Sequence, residues 1–175
     1  MKKDIRIFLL GFMGAGKTYW GEKMAALTGF AFVDLDNLVE QHSSSSIPEL
    51  FEQFGESTFR QIERECLLKC AHLQQTIVAT GGGTPCFFDN MQWMKACGKT
   101  IYLKVPANIL ALRLRRMPNF RPLLAGIEEH LLDQHIERLL LERERFYLQA
   151  DQVLGHEEDE AALQAMLLQS IQSWQ

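Results

Sequence analysis

Residues 11–18 read GFMGAGKT and satisfy the spacing G-x-x-x-x-G-K-[ST] with Gly11, Gly16, Lys17 and Thr18. Glycines at these positions let the backbone wrap closely around phosphate oxygens, and a helix opening just after them adds N–H donors and a dipole that favours an anion. In such a loop the lysine reaches the β- and γ-phosphates, and the hydroxyl is a ligand for Mg2+. Gly14, Ala15, Gly16, Lys17, Thr18 and Tyr19 are therefore assigned to a nucleoside triphosphate, with Lys17 also serving catalysis. A flexible turn would not need an apolar strand before it and a lysine, a hydroxyl and a helix after it, in that order.

A phosphate loop names a donor and leaves the acceptor open. Asp34 and Asp36 fall in FVDLD, at the C-terminal end of the second apolar run, where ligands bind in open parallel sheets. On a strand the two side chains share one face. One carboxylate could hold the Mg2+ shell through water while the other accepts a hydrogen bond or proton from an attacking hydroxyl; the plainer alternative is that they cap the next helix or turn. Arg60 and Glu63 in FRQIE are three apart on a helix and, taken alone, read as a solvated surface pair worth little. TGGGT at 80–84 follows the third apolar run and would set three amides without side chains at the same sheet edge, open to close approach by a ligand.

The elements that must position these residues alternate along the chain. Apolar runs at 5–10, 30–36, 76–80, 100–105 and 151–155 read as five strands separated by helical stretches. That order predicts an α/β domain, a five-stranded parallel sheet with helices on both faces, over residues 1–175. Ser46, Pro48 and Glu49 mark a helix start that Gly55 ends, and a second helix follows with Phe59, Ile62, Cys66, Cys70 and Leu73 on one stripe. These two helices form an insertion at about 37–75. RRMPNFRPLLAG at 115–126 reads as a mobile loop, and the helix beyond it keeps Leu139, Arg143, Phe146 and Ala150 roughly on one side. An arginine beside an apolar stripe needs a reason.

Composition narrows the class without choosing a function. The chain has 175 residues, 47% hydrophobic and 23% charged, with a net charge of -4, which gives no general attraction to nucleic acid or an anionic membrane. Apolar runs stay short of the roughly 18 residues of a membrane span, and Asp4 and Arg6 interrupt the N-terminal stretch, unlike a signal peptide. A cytoplasmic protein, expected to be a monomer, fits. The four cysteines form no CxxC pair and read as buried free thiols, and the five histidines show no metal-ligand spacing.

Together GFMGAGKT, FVDLD, SIPELFEQFGESTFRQIE, ATGGG, RPLL and RERFYLQAD resemble the shikimate kinase family, small P-loop kinases of the nucleoside monophosphate kinase type, in family order through most of the chain. The resemblance implies a P-loop NTPase fold with a substrate-binding insertion and a lid at about 115–126. It implies ATP as co-substrate, Mg2+, and phosphoryl transfer to the 3-hydroxyl of shikimate in the chorismate route to aromatic amino acids. Asp34 matches the Mg2+-associated aspartate, and Asp36 the one that contacts the shikimate hydroxyls and serves as base. Arg60 and Arg143 match the arginines that clamp the shikimate carboxylate, Glu63 orients the first, and Gly81, Gly82 and Gly83 line the acceptor pocket. Arg121 matches the lid arginine over the phosphates, and Arg113 the arginine near the adenine.

Two departures stand out. One is the lid, which carries Arg115, Arg116 and Arg121 and differs from the family in length by one residue, and this bears on the Arg113 assignment. Arg145 and Phe146 occupy places where the family commonly has Pro-Leu, so Arg145 is a nearby alternative to Arg143. Tyr147 reads as packing. A related kinase for another hydroxy acid, such as gluconate, and a nucleotide-dependent switch that binds a protein partner are the competing readings.

Overall fold

The run IFLL at 7–10 is apolar at every position because its strand is covered on both sides. In the computed structural model, which describes residues 5–117, 126–156 and 159–174, this strand, β1 (Arg6–Leu10), lies at the centre of a five-stranded parallel sheet. It pairs on one side with β3 (Thr76–Ala79) and on the other with β4 (Lys99–Lys104). The edges are β2 (Ala31–Asp34) beside β3 and β5 (Gln152–Gly155) beside β4, giving the order β2-β3-β1-β4-β5. Each strand expected from the sequence is present within two residues at either end.

Alternation along β1 divides the core. Ile7 and Leu9 join one cluster with α1 (Lys17–Thr28), α5 (Ala107–Arg115) and α7 (Glu160–Trp174). Phe8 and Leu10 join another with α2 (Leu35–Ser43), α3 (Ile47–Lys69) and α4 (Asn90–Cys97), and with Tyr147 at the end of α6 (Leu132–Tyr147). This is the period-two geometry of a strand buried on both faces. One face thus carries the helix that opens at the phosphate loop, and the other carries the insertion.

The insertion differs in part from the sequence expectation. Ser46 caps α3 in a reciprocal capping box with Glu49, and Gly55, at φ 76° and ψ 172°, breaks the helix into 47–54 and 56–69, as its signals predict. The preceding helix, α2, is not among the expected elements. Its signal is short: Asp34 as N-cap followed by Leu35 and Val39, four apart and both buried. Because α2 starts at Leu35, Asp36 is not on the strand with Asp34 but in the first turn of the helix that Asp34 caps. The shared-face strand argument for the two aspartates is therefore wrong, and the capping alternative describes Asp34, whose Oδ1 accepts from the backbone N–H groups of Asp36 at 3.0 Å and Asn37 at 3.4 Å.

The buried stripe of α6 is also rotated from expectation. Ile136, Arg143 and Tyr147 are buried, whereas Phe146 is only partly so. All four cysteines are free, but only Cys66 and Cys70 are buried, with Cys86 and Cys97 half-buried. Burial pushes the Cys70 and Cys86 thiols up to about 11. Among the described residues no helix is long and apolar enough to cross a membrane.

Candidate active site

The loop between β1 and α1 turns through three glycines with positive φ, Gly11, Gly14 and Gly16. A Cβ on Gly11 would stand 2.8 Å from the Leu103 carbonyl oxygen, so β4 presses directly on the loop. No side chain caps α1, and its first N–H groups face the loop. Lys17 folds back along the same loop, donating from Nζ to the carbonyl oxygens of Gly11 at 2.8 Å and Phe12 at 2.9 Å. Thr18 Oγ1 donates to Asp34 Oδ2 at 2.7 Å. The cap of α2 and the hydroxyl of the phosphate loop are therefore joined through one carboxylate.

Beyond this loop opens a cavity of about 410 Å³ whose wall includes Thr18, Asp34, Asp36, Arg60, Glu63 and Arg143. It also includes Gly81, Gly82 and Gly83. The structure thus gathers onto one surface the acceptor-side residues that the sequence separates by over a hundred positions. Arg121, and most of the lid expected at 115–126, lie outside the described residues. Arg115, at its start, is exposed and pairs with Asp133 at 2.8 Å.

Arg60 and Glu63 are not a surface pair. Arg60 is 4% exposed and Glu63 fully buried, and Arg60 Nη1 donates to Glu63 Oε2 at 2.8 Å. The other Glu63 oxygen accepts from Thr84 Oγ1 at 2.6 Å, so both oxygens of the buried carboxylate are satisfied. Nε and Nη2 of Arg60 donate to Glu56 Oε1 at 3.2 Å and 3.0 Å. Thr84 and Glu56 are absent from the sequence-derived set, although Glu56 stands four before Arg60, a helical neighbour spacing.

The triple glycine has a structural reason beside the one expected. A Cβ at Gly81 would meet Glu63 Oε1 at 2.6 Å and Asp36 Oδ1 at 3.0 Å, and one at Gly83 would meet Arg60 Nη2 at 2.5 Å. The protein's own charged groups, before any ligand, need these positions bare. The Gly82 carbonyl accepts from the buried Tyr147 hydroxyl, which ties the loop to α6. Since Gly83 has ordinary backbone angles, Gly83→Ala should fold and push the Arg60 guanidinium aside. Overpacking of this kind costs about 1–3 kcal/mol. The expected outcome is loss of acceptor affinity by one to two orders of magnitude with ADP affinity retained, read by calorimetry.

Arg143 approaches from α6. It is 6% exposed, its guanidinium carbon lies 5.6 Å from the centre of the Phe12 ring, and its Nη1 is buried with no hydrogen-bond partner among the described residues. Arg145, the alternative, is exposed and lies over the Phe146 ring instead. A second cavity of about 360 Å³ adjoins the outer side of the phosphate loop, with Gly14, Ala15, Gly16, Tyr19 and Arg113 on its wall. Arg113 Nη1 donates to the Gly14 carbonyl oxygen at 3.1 Å. Tyr19 is half-exposed and donates to Glu160. Met117 borders both cavities.

Comparison with known proteins agrees with this arrangement. The family profile described as shikimate kinase matches residues 13–173. A shikimate kinase of Parabacteroides distasonis is 43% identical over 145 residues, covering 83% of this chain and 84% of that protein. The crystal structure of shikimate kinase from Bacteroides thetaiotaomicron superposes with a TM-score of 0.86 at 38% identity, covering 97% of both chains. That of Acinetobacter baumannii shikimate kinase, in complex with shikimate, superposes with a TM-score of 0.89 at 33% identity, covering 97% of this chain and 93% of that one. With a phosphate loop, two aspartates and two buried arginines around one cavity, the chain belongs to the shikimate kinase family.

Proposed function

We propose that the protein transfers the γ-phosphate of ATP to the 3-hydroxyl of shikimate, giving ADP and 3-phosphoshikimate in the chorismate route to aromatic amino acids. The observation that carries the reading is the unpartnered Nη1 of Arg143 in the wall of the cavity next to the phosphate loop. A buried cationic donor without a partner costs free energy, and a carboxylate is the ligand whose geometry satisfies a guanidinium fork. Arg60 is proposed to share that carboxylate, with Glu63 orienting it. The apolar wall made by Ile47, Phe51 and Phe59 suits a small carbocyclic ring.

Phosphoryl transfer needs alignment and charge neutralisation more than covalent help. With the carboxylate held by the two arginines, the ring hydroxyls are proposed to meet Asp36 on the wall of the same cavity. Asp36 is proposed to accept the hydroxyl proton, or to orient the hydroxyl, as its oxygen attacks the γ-phosphorus and the bond to the β–γ bridging oxygen breaks. Lys17 neutralises charge on the transferring group. Gly14 to Tyr19 hold the phosphates, and Arg113 borders the base. Arg121 is proposed, from its motif, to close over the phosphates and exclude water.

The residues present fit Mg2+: a hydroxyl and a carboxylate oxygen face each other at 2.7 Å beside the phosphate loop, and hard oxygen donors completed by water and phosphate suit this ion. Thr18 would hold it directly and Asp34 through water. When bound, Mg2+ supplies charge neutralisation on the phosphate oxygens.

ADP release measured with shikimate, with gluconate and with no acceptor tests the proposal. Acceleration of at least about a hundredfold by shikimate alone is expected. Acceleration by gluconate would move the enzyme to a related kinase class, and slow turnover indifferent to either acceptor would point to a nucleotide switch.

A further inference from the structure

The Arg60 guanidinium is held by more than its carboxylates. Its central carbon lies 4.9 Å from the centre of the Phe59 ring and 4.3 Å from that of the Phe87 ring, while Gly83 stands close enough that a Cβ there would lie 2.8 Å from the same carbon. Phe59 is the preceding residue on the same helix and borders the cavity. Phe87 is different: it comes from the far side of the glycine loop and is not among the cavity-wall residues.

The backbone around Phe87 is shaped to bring it there. A 3-10 turn over Thr84–Cys86 is closed by the Cys86 N–H donating to the Gly83 carbonyl at 2.8 Å, and the Phe87 carbonyl accepts from the Asn90 N–H at 3.2 Å. Between these, Phe88 adopts φ 52°, a left-handed conformation that an aromatic residue rarely takes, and its own ring is 60% exposed. The strain at Phe88 is not offset by burial of Phe88. What the local geometry does achieve is the inward turn of Phe87 against Arg60.

We propose that Phe87 is a positioning residue for the acceptor's carboxylate: its ring fixes the plane of the Arg60 guanidinium so that the edge left by Glu56 and Glu63 faces the cavity. The inference rests on the reading of Arg60 as a carboxylate clamp. A ring over a cation favours one orientation of the guanidinium through its quadrupole, and it also excludes the water that would otherwise solvate the charge. A carboxylate then meets a guanidinium already stripped of water and already aligned, so less ordering is needed on binding.

The test separates an aromatic face from mere bulk and a carboxylate effect from general damage. Phe87→Leu and Phe87→Met keep an apolar side chain, and Phe87→Tyr keeps the ring. Initial rates are measured with shikimate and with its neutral methyl ester as acceptors, and thermal unfolding is followed for each variant. Leu and Met are expected to raise the shikimate KM by about 3- to 20-fold, with kcat moving less than KM, the ester KM unmoved and the ATP KM unmoved. Tyr is expected to stay within about two-fold of the native protein. Equal KM changes for acid and ester, or a Leu variant with native shikimate KM, would overturn the assignment of Phe87. Absence of shikimate-dependent turnover in the unaltered protein would overturn the acceptor reading itself, and the Phe87 assignment with it.

Discussion

Arg143→Met is expected to weaken shikimate binding by at least about 30-fold while raising the melting temperature of the unliganded protein. The two effects have one cause. In the folded protein Nη1 of Arg143 is buried without a hydrogen-bond partner among the described residues, a state that costs about 1–3 kcal/mol. The compensating contacts are the side chain of Tyr147, whose hydroxyl keeps its own bond to the Gly82 carbonyl when the arginine is removed, and the Phe12 ring, which at 5.6 Å lies near the outer limit of a cation–π interaction and so contributes at the low end of about 0.5–2 kcal/mol. Methionine fills a similar volume without the charge, so removal of the orphaned donor wins, and a rise of about 2–6 °C follows for a chain of this size. Substrate binding moves the other way, because truncating one partner of a buried charged hydrogen bond costs about 2–5 kcal/mol. Arg143→Lys should fall between the two in shikimate KM, keeping charge and losing the fork. Calorimetric unfolding and acceptor titration in parallel check both signs; a less stable Arg143→Met with native shikimate affinity would return Arg143 to a packing role.

The same residue shows what the sequence can and cannot carry. Arg143 beside apolar neighbours signals a charged group facing inward, and burial on α6 agrees. Which neighbours share its face depends on where the helix starts and how it rotates against the sheet, so Tyr147 replaces Phe146 on the buried side. Arg60 and Glu63 are legible as a helical pair, yet nothing in FRQIE distinguishes a solvated pair from a buried one; that follows from the glycine loop folding over α3. The partner Thr84 is invisible for the same reason, since its contact with Glu63 spans 21 positions. The inner strands β1, β3 and β4 are legible because burial on both faces leaves largely apolar runs, whereas the edge strands β2 and β5 are more exposed and carry a weaker signal. The α2 helix is hidden because β2 passes into it without a turn: Asp34 is at once the last strand residue and the helix cap.

That junction also explains how donor and acceptor are brought to one place. Asp34 accepts from Thr18 of the phosphate loop through one oxygen and from the start of α2 through the other, so the element that carries Asp36 is registered against the loop by a single side chain. Gly81 leaves room for the Asp36 carboxylate, since a Cβ there would stand 3.0 Å from Oδ1. If Asp36 meets the attacking hydroxyl as proposed, its alignment with the phosphate loop would be set by contacts made before either substrate arrives, an arrangement that lowers the entropic part of a transfer barrier.

Lys17→Met is expected to lower kcat by about 10²–10³-fold, the scale seen when a preorganised charge-stabilising group is removed from a reacting centre. The ammonium is largely buried and donates to the carbonyl oxygens of Gly11 and Phe12, so it is held within the loop by the same backbone that is proposed to surround the phosphates. A cation fixed in this way needs little reorganisation when negative charge shifts during transfer. Methionine keeps the chain length and apolar stem but supplies no donor, so the Gly11 carbonyl loses the lysine, the Phe12 carbonyl keeps only the Ala15 N–H at 3.1 Å, and the phosphates would lack a charge. Lys17→Arg should not restore the rate, because a planar guanidinium cannot reproduce a compact ammonium in a slot that leaves only 8% of the lysine exposed. Single-turnover rates at saturating ATP and shikimate separate the two possible roles. A large fall in the transfer step with modest change in ATP affinity places Lys17 at the transition state, whereas a raised ATP KM with native kcat would make it an anchor that binds ground and transition states alike.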